Sequence, residues 1–198
     1  SVTLSQPDPN HWHSIDLNHT YRNPVIVFGG LTENGGDAAS ILVRNIEPNR
    51  FEYQIGEFDS ADGVHSETET AHYFVVEGGY PGIWELPDGT VIQSGVEHVN
   101  YGRKQISFRE PFTGSQTPVV LSQVVIEKEA HSFTRMRNVG MNGFEVRVTG
   151  QEANKNIGSS RVMWIAVSRG AGSYQAQPVV AGVTPDHVTH RWRNVQPP

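Results

Sequence analysis

Short apolar runs, most of them alternating with polar residues, recur along the chain. They fall at Pro24 to Gly29, Ser40 to Asn45, Phe51 to Glu57 and His72 to Glu77, then at Gln105 to Phe108, Pro118 to Val125, His131 to Asn138, Phe144 to Thr149 and Val162 to Ser168. Each is of strand length, rich in Val, Ile, Phe, Tyr or Trp, and bounded by Gly, Pro, Asn or Asp. None sustains the period of about 3.6 residues that marks an amphipathic helix. Turn formers such as Asn34-Gly35-Gly36, Asp62-Gly63, Asp88-Gly89 and Asn142-Gly143 separate them. Short strands at regular spacing between such turns predict an all-β chain of antiparallel β-sandwich type.

The pattern is stated twice. Asn23-Pro24-Val25-Ile26-Val27 is answered by Thr117-Pro118-Val119-Val120-Leu121, Arg44-Asn45-Ile46 by Arg137-Asn138-Val139, Phe51 by Phe144, and Tyr73-Phe74-Val75-Val76 by Trp164-Ile165-Ala166-Val167. The offset drifts only from 94 at Pro24/Pro118 to 91 at Val76/Val167. A period of this size is that of a domain rather than of a solenoid repeat. The expectation is two tandem antiparallel β-sandwich domains, residues 1–99 and 100–183, with about six strands in each. The connector from Gly78 to Val99 holds two prolines and Gly-centred turns, which makes it a structured linker, and its end, Val91 to Gly95, matches Pro178 to Gly182. Residues 184–198 echo the opening His11 to Ile15 through His190-Arg191-Trp192, so they read as the first strand of a further repeat, buried in this chain or on a neighbour.

Composition narrows the function classes. The chain has 198 residues and no cysteine, which removes disulfides, thiolate catalysis and Cys-based zinc sites. No apolar run is long enough to span a membrane, and no basic and apolar leader opens the sequence. The net charge of -6 conceals an unequal division: residues 1–100 carry 3 Arg against 15 Asp and Glu, whereas 101–170 carry 10 Lys and Arg against 5 Asp and Glu. Two copies of one pattern with opposite electrostatic character are expected to meet different partners, or each other.

The second copy resembles a known family. Ile106-Ser107-Phe108-Arg109-Glu110-Pro111-Phe112, then Pro118-Val119-Val120-Leu121, then Arg135 through Gly143-Phe144, and finally Val162-Met163-Trp164-Ile165-Ala166-Val167 are similar, in order and spacing, to the H-type lectin domain. The resemblance covers about 65 residues of the second copy and, more faintly, the same span of the first. It implies a six-stranded antiparallel sandwich, a trimer and a hexose held at the trimer interface. The family uses an Arg before the Gly-Phe turn, and Arg135 matches it. Its Trp-His pair falls on Gln151 and Glu152 here, and its Tyr near Ile157. In the first copy Leu42 stands at the Arg position and Phe58-Asp59 at the Trp-His position. The doubled arrangement is also similar to modules attached to bacterial enzymes that degrade extracellular polysaccharides.

Individual residues carry four chemistries. Arg135, Arg137 and Arg147 belong to two strands paired through the Gly143 turn, and planar guanidinium forks suit carboxylates, sulfates and vicinal hydroxyls. A solvated face laced with Glu145 and Glu152 is the plain alternative. Glu57, Asp59, Asp62, His65, Glu67 and Glu69 crowd into 13 residues. Such hard oxygen ligands at close spacing can hold Ca²⁺, with Glu57, Asp59, Asp62, His65 and Glu69 as candidate ligands, although the spacing is not that of an EF-hand; an acidic loop whose carboxylates accept backbone hydrogen bonds is the alternative. Glu57, His65 and Glu69 also form a candidate acid and base set for a small hydrolase or lyase. Neither the acidic loop nor its histidine recurs in the second copy. Most aromatics fall at matched repeat positions and suit shared packing, but Trp84, between Gly82 and Pro87, is unmatched and is a candidate to stack on a pyranose.

The sequence therefore predicts a secreted, non-catalytic carbohydrate-binding module for an extracellular, anionic polysaccharide, read by Arg135, Arg137 and Arg147 with Gln151, Glu152 and Trp84. It expects no nucleic-acid partner and no membrane span, and it leaves room for a homo-oligomer. A structural or adhesive extracellular repeat and a small polysaccharide-active enzyme are the two rival readings.

Overall fold

The computed structural model describes residues 1–32, 34, 39–57, 64–79, 82–100, 102–127, 132–150, 159–174 and 177–181. Among them the chain is all-β. Six strands form the first part: β1 (Val2–Gln6), β2 (His13–Asp16), β3 (Pro24–Leu31), β4 (Ala39–Glu47), β5 (Arg50–Glu57) and β6 (His65–Glu77). The short β7 (Ile83–Glu85) follows, then β8 (Val91–Val99), β9 (Lys104–Ser107), β10 (Val119–Val125), β11 (Ser132–Gly140), β12 (Gly143–Gly150) and β13 (Ser160–Val167). A hairpin of β14 (Gly170–Tyr174) and β15 (Gln177–Ala181) comes last. The segment read as the start of a further repeat, residues 184–198, lies outside the described residues. The stretch read as a linker, 78–99, holds β7 and β8, and Ile92 to Val99 of β8 pairs with the whole length of β13.

Strand order repeats along the chain. Antiparallel triplets β1-β6-β3 and β2-β5-β4 occupy the first part, and triplets β8-β13-β10 and β9-β12-β11 occupy the second in the same pairing order. The two parts meet edge to edge. β4 and β10 run parallel at Val43 and Val125, the Ile126 amide donates to the Val43 carbonyl at 2.7 Å, and the Gln123 side-chain amide donates to the Ile41 carbonyl at 3.2 Å. One seven-stranded sheet, β2-β5-β4-β10-β13-β8-β7, results.

Its two faces serve two cores. On β13, Met163 and Ile165 join the core made with Ile26, Phe28, Phe51, Tyr53 and Ile55, whereas Val162, Trp164 and Ala166 join the core made with Ile106, Phe108, Phe144, Val146 and Val148. Successive side chains of a strand point to opposite faces, so β1-β6-β3 covers one face of the long sheet and β11-β12-β9 the other. This explains why Val162 to Val167 is an unbroken apolar run: a strand covered on both sides needs no polar alternation. β6 occupies the matching place in the first part but, among the described residues, is covered on one side only, and on the other side Phe74 is left 55 % exposed. Phe51 and Phe144, at matched positions, are both completely buried, each contributing about 1.5–3 kcal/mol of apolar transfer.

Candidate functional site

The hairpin of β11 and β12 sets the geometry of the arginines. Asn138 adopts a left-handed backbone with φ 51°, and the register shifts between Arg137 and Gly140, a bulge just before the hairpin closes at Gly140 and Gly143. Gly143 allows β9 to approach closely, since a Cβ there would lie 2.1 Å from the Ile106 carbonyl oxygen. With this register Phe133 stands opposite Thr149, Arg135 opposite Arg147 and Arg137 opposite Glu145. Directly opposed residues share a face. Since Phe144, Val146 and Val148 point into the core, these six form the outer face of the sheet.

Their partners divide the three arginines. Arg137 donates from Nε to Glu145 at 2.8 Å and forms an ion pair through a second nitrogen at 2.8 Å, and the Asn138 amide donates to the other oxygen of the same carboxylate, also at 2.8 Å. Hydrogen bonds from Asn138 and Arg137 hold the Glu145 carboxyl below its ordinary pKa. Arg135 is exposed, with its guanidinium 5.5 Å from the centre of the Phe133 ring. Among the described residues no carboxylate forms an ion pair with Arg135 or Arg147. The Arg147 Nε and the Thr149 hydroxyl are buried without a hydrogen-bond partner among those residues.

The first part shows what the same scaffold does elsewhere. Asn45 has φ 46°, Arg44 donates to Glu52 at 2.7 Å and Asn45 to Glu52 at 3.0 Å, which repeats the Arg137, Asn138 and Glu145 arrangement. Chiefly the hydrogen bond from Arg44, aided by that from Asn45, lowers the Glu52 pKa. The Trp12 ring lies 4.0 Å from the Arg44 guanidinium carbon. Leu42 and Gln54, opposed across β4 and β5, take the places of Arg135 and Arg147, and they are only 3 % and 5 % exposed. The loop from Pro7 to Trp12 is tied over that face. Gln54 donates to the carbonyls of Pro9 and His11, and Gln6 donates to those of Asp8 and His11. The spacing of Arg, Asn and Glu was present in the sequence at the shared offset, whereas the Gln6 and Gln54 anchors carried no sequence signal.

The acidic cluster is a buried clamp between sheets. Glu57 ends β5 in the long sheet, while His65 and Glu69 lie on β6 in the sheet above it. His65 Nδ1 stands 3.1 Å from Glu57 and Nε2 stands 3.2 Å from Glu69, with side chains 4 %, 1 % and 2 % exposed in the order His65, Glu57, Glu69. Thr32 Oγ1 and the Asn34 amide donate to Glu69 at 2.7 and 2.8 Å. Burial by itself would lower the His65 pKa, but hydrogen bonds to Glu69 and Glu57 together with their charges raise it above the ordinary value. Both ring nitrogens thus face carboxylates, and no group of three or more metal-ligating side chains among the described residues is arranged to hold an ion. Asp59 and Asp62 lie outside the described residues, as do Gln151 and Glu152.

Trp84 is half-buried on β7, at the edge of the long sheet, and lies on a different sheet from the arginines. No described helix is long and apolar enough to cross a membrane. No family model matches the chain, and neither a curated protein nor a solved structure is detectably similar to it.

Proposed function

We propose that the chain is a non-catalytic carbohydrate-binding module of two tandem six-stranded sandwiches, which acts outside the cell and holds an anionic polysaccharide on the outer face of β11-β12-β9. The observation that carries this reading is the opposition of Arg135 and Arg147. Like charges directly opposite on a sheet destabilise it by up to about 1 kcal/mol, and nothing among the described residues neutralises the pair. An anionic ligand would relieve that repulsion. The first part presents a neutral pair beneath a loop at the matching place, whereas the second part presents two arginines there, of which Arg135 is exposed. The resemblance of Arg135 and its strand to the H-type lectins points in the same direction.

Arg137 borders the site and is held by Glu145, which suits a positioning role more than primary contact. The burial of Glu57, His65 and Glu69 favours binding over hydrolysis, because an acid or base must reach the glycosidic oxygen through at most one water. A structural or adhesive role is the second reading, favoured by the sheet that runs continuously from β4 into β10. Retention of the intact chain on immobilised anionic polysaccharides, with product analysis, separates the three. Salt-sensitive retention without turnover is the result expected here. Turnover would mark an enzyme, and absence of retention would leave the structural role.

A further inference from the structure

We infer that the anionic group taken by this face is a sulfate ester rather than a uronate carboxylate, an inference that rests on the glycan-binding reading above. Arg135 and Arg147 rise from two strands at directly opposed positions on one face, so a single ligand between the strands is flanked by both side chains. A carboxylate presents two oxygens in one plane and is matched by one fork. A sulfate ester presents three terminal oxygens in three directions and can serve both forks at once. Guanidinium is also the more weakly hydrated of the two basic side-chain heads, which suits an anion that gives up its water readily.

The floor of the face adds donors. Thr149 lies two residues from Arg147 on β12 and therefore on the same face, and its hydroxyl and the Arg147 Nε are both without partners among the described residues. An unmet donor in a buried setting is itself unfavourable, which lowers the cost of turning the Arg147 side chain outward toward a third oxygen. Glu145, opposite Arg137 on the same face, is occupied by Arg137 and Asn138 and does not compete for the pair.

The test uses the whole chain and two immobilised probes, chondroitin sulfate and chemically desulfated chondroitin, which keeps every glucuronate. The sulfated probe is expected to bind at least about tenfold tighter, the scale of one charge-assisted hydrogen bond. That preference should collapse in Arg135→Lys and Arg147→Lys, which keep the charge and remove the fork. Arg135 is exposed, so its variant tests the inference even if the Arg147 variant loses its fold, and melting curves report which has occurred. Equal binding to both probes would overturn the sulfate assignment and leave the anionic-glycan reading standing. Binding to neither would overturn both. A preference kept intact by both lysine variants would remove these two arginines as the site.

Discussion

Asn45 and Asn138 hold the same position in two hairpins and share one conformation, with φ of 46° and 51° and side-chain amides that donate to Glu52 and Glu145 respectively. A left-handed backbone costs an ordinary L-residue about 1–2 kcal/mol, and Asn tolerates it because its short side chain bonds locally. The duplicated turn is therefore a device for aiming an Arg and a Glu at each other beside a bulge.

Asn138→Ala is expected to lower stability by about 1–2 kcal/mol, through the backbone strain and the lost amide donor. Asn138→Gly should lose less, since it keeps the backbone and gives up only the hydrogen bond. Urea denaturation of the two variants provides the comparison, and an alanine variant as stable as the glycine one would show that the left-handed position is unimportant.

His65 should make stability depend on pH. Its pKa in the folded chain is raised above the unfolded value near 6.5, so its contribution is complete below that value and is lost as pH rises through the folded pKa. Glu52 and Glu145 act in the other direction, since their depressed values give a contribution present above about 4.5 and lost as pH falls. The melting temperature of the wild type should thus decline from pH 6.5 upward, and His65→Gln should flatten that limb. His65→Ala leaves two buried carboxylates without their cation and should cost about 3–5 kcal/mol. A wild-type profile that is level across neutral pH would show that His65 does not titrate in the folded chain.

Calcium has a simple readout. Glu57 and Glu69 both face His65, and Glu69 also accepts from Thr32 and Asn34, so millimolar Ca²⁺ is expected to leave the melting curve where it stands in EDTA. A rise on adding the ion, by mass action on the native state, would assign a site to the carboxylates of residues 57–69, with Asp59 and Asp62 among them.

Gly95 lies against the Trp164 ring, and a Cβ on it would sit 2.7 to 2.8 Å from three ring atoms. The ring is packed among Phe108 and Phe144 and cannot retreat. Gly95→Ala should cost about 1–3 kcal/mol by overpacking. The double variant with Trp164→Leu should show a smaller penalty than the sum of the two single ones. Strict additivity in thermal melts would mean that β8 and the ring do not press on each other.

Much of the fold is legible in the residues because strand character is local. Short apolar or alternating runs place β3, β4, β5, β10, β11, β12 and β13 within a few residues, and the shared offset of Arg44/Arg137 and Phe51/Phe144 implies matched hairpins from the residues alone. β1 and β7 escape because they are edge strands of only five and three residues, too short to show a period.

Strands, turns, the repeat and the cationic character of the second part each depend on neighbours along the chain or on simple counting, so the order of the amino acids is enough to establish them. Which arginines meet a carboxylate among the described residues is a different matter and emerges only in three dimensions. Arg135, Arg137 and Arg147 are alike as residues, but a register set by the bulge beside Asn138 puts Glu145 opposite one of them and sets the other two against each other. Tertiary pairing likewise brings Glu57 and Glu69, twelve positions apart, together around His65 from two different sheets, and it covers Val162 to Val167 on both sides while leaving Phe74 open. Register and layer order arise from pairing between distant strands, where burial of both faces and closure of the cores select one arrangement among several that the same local pattern allows.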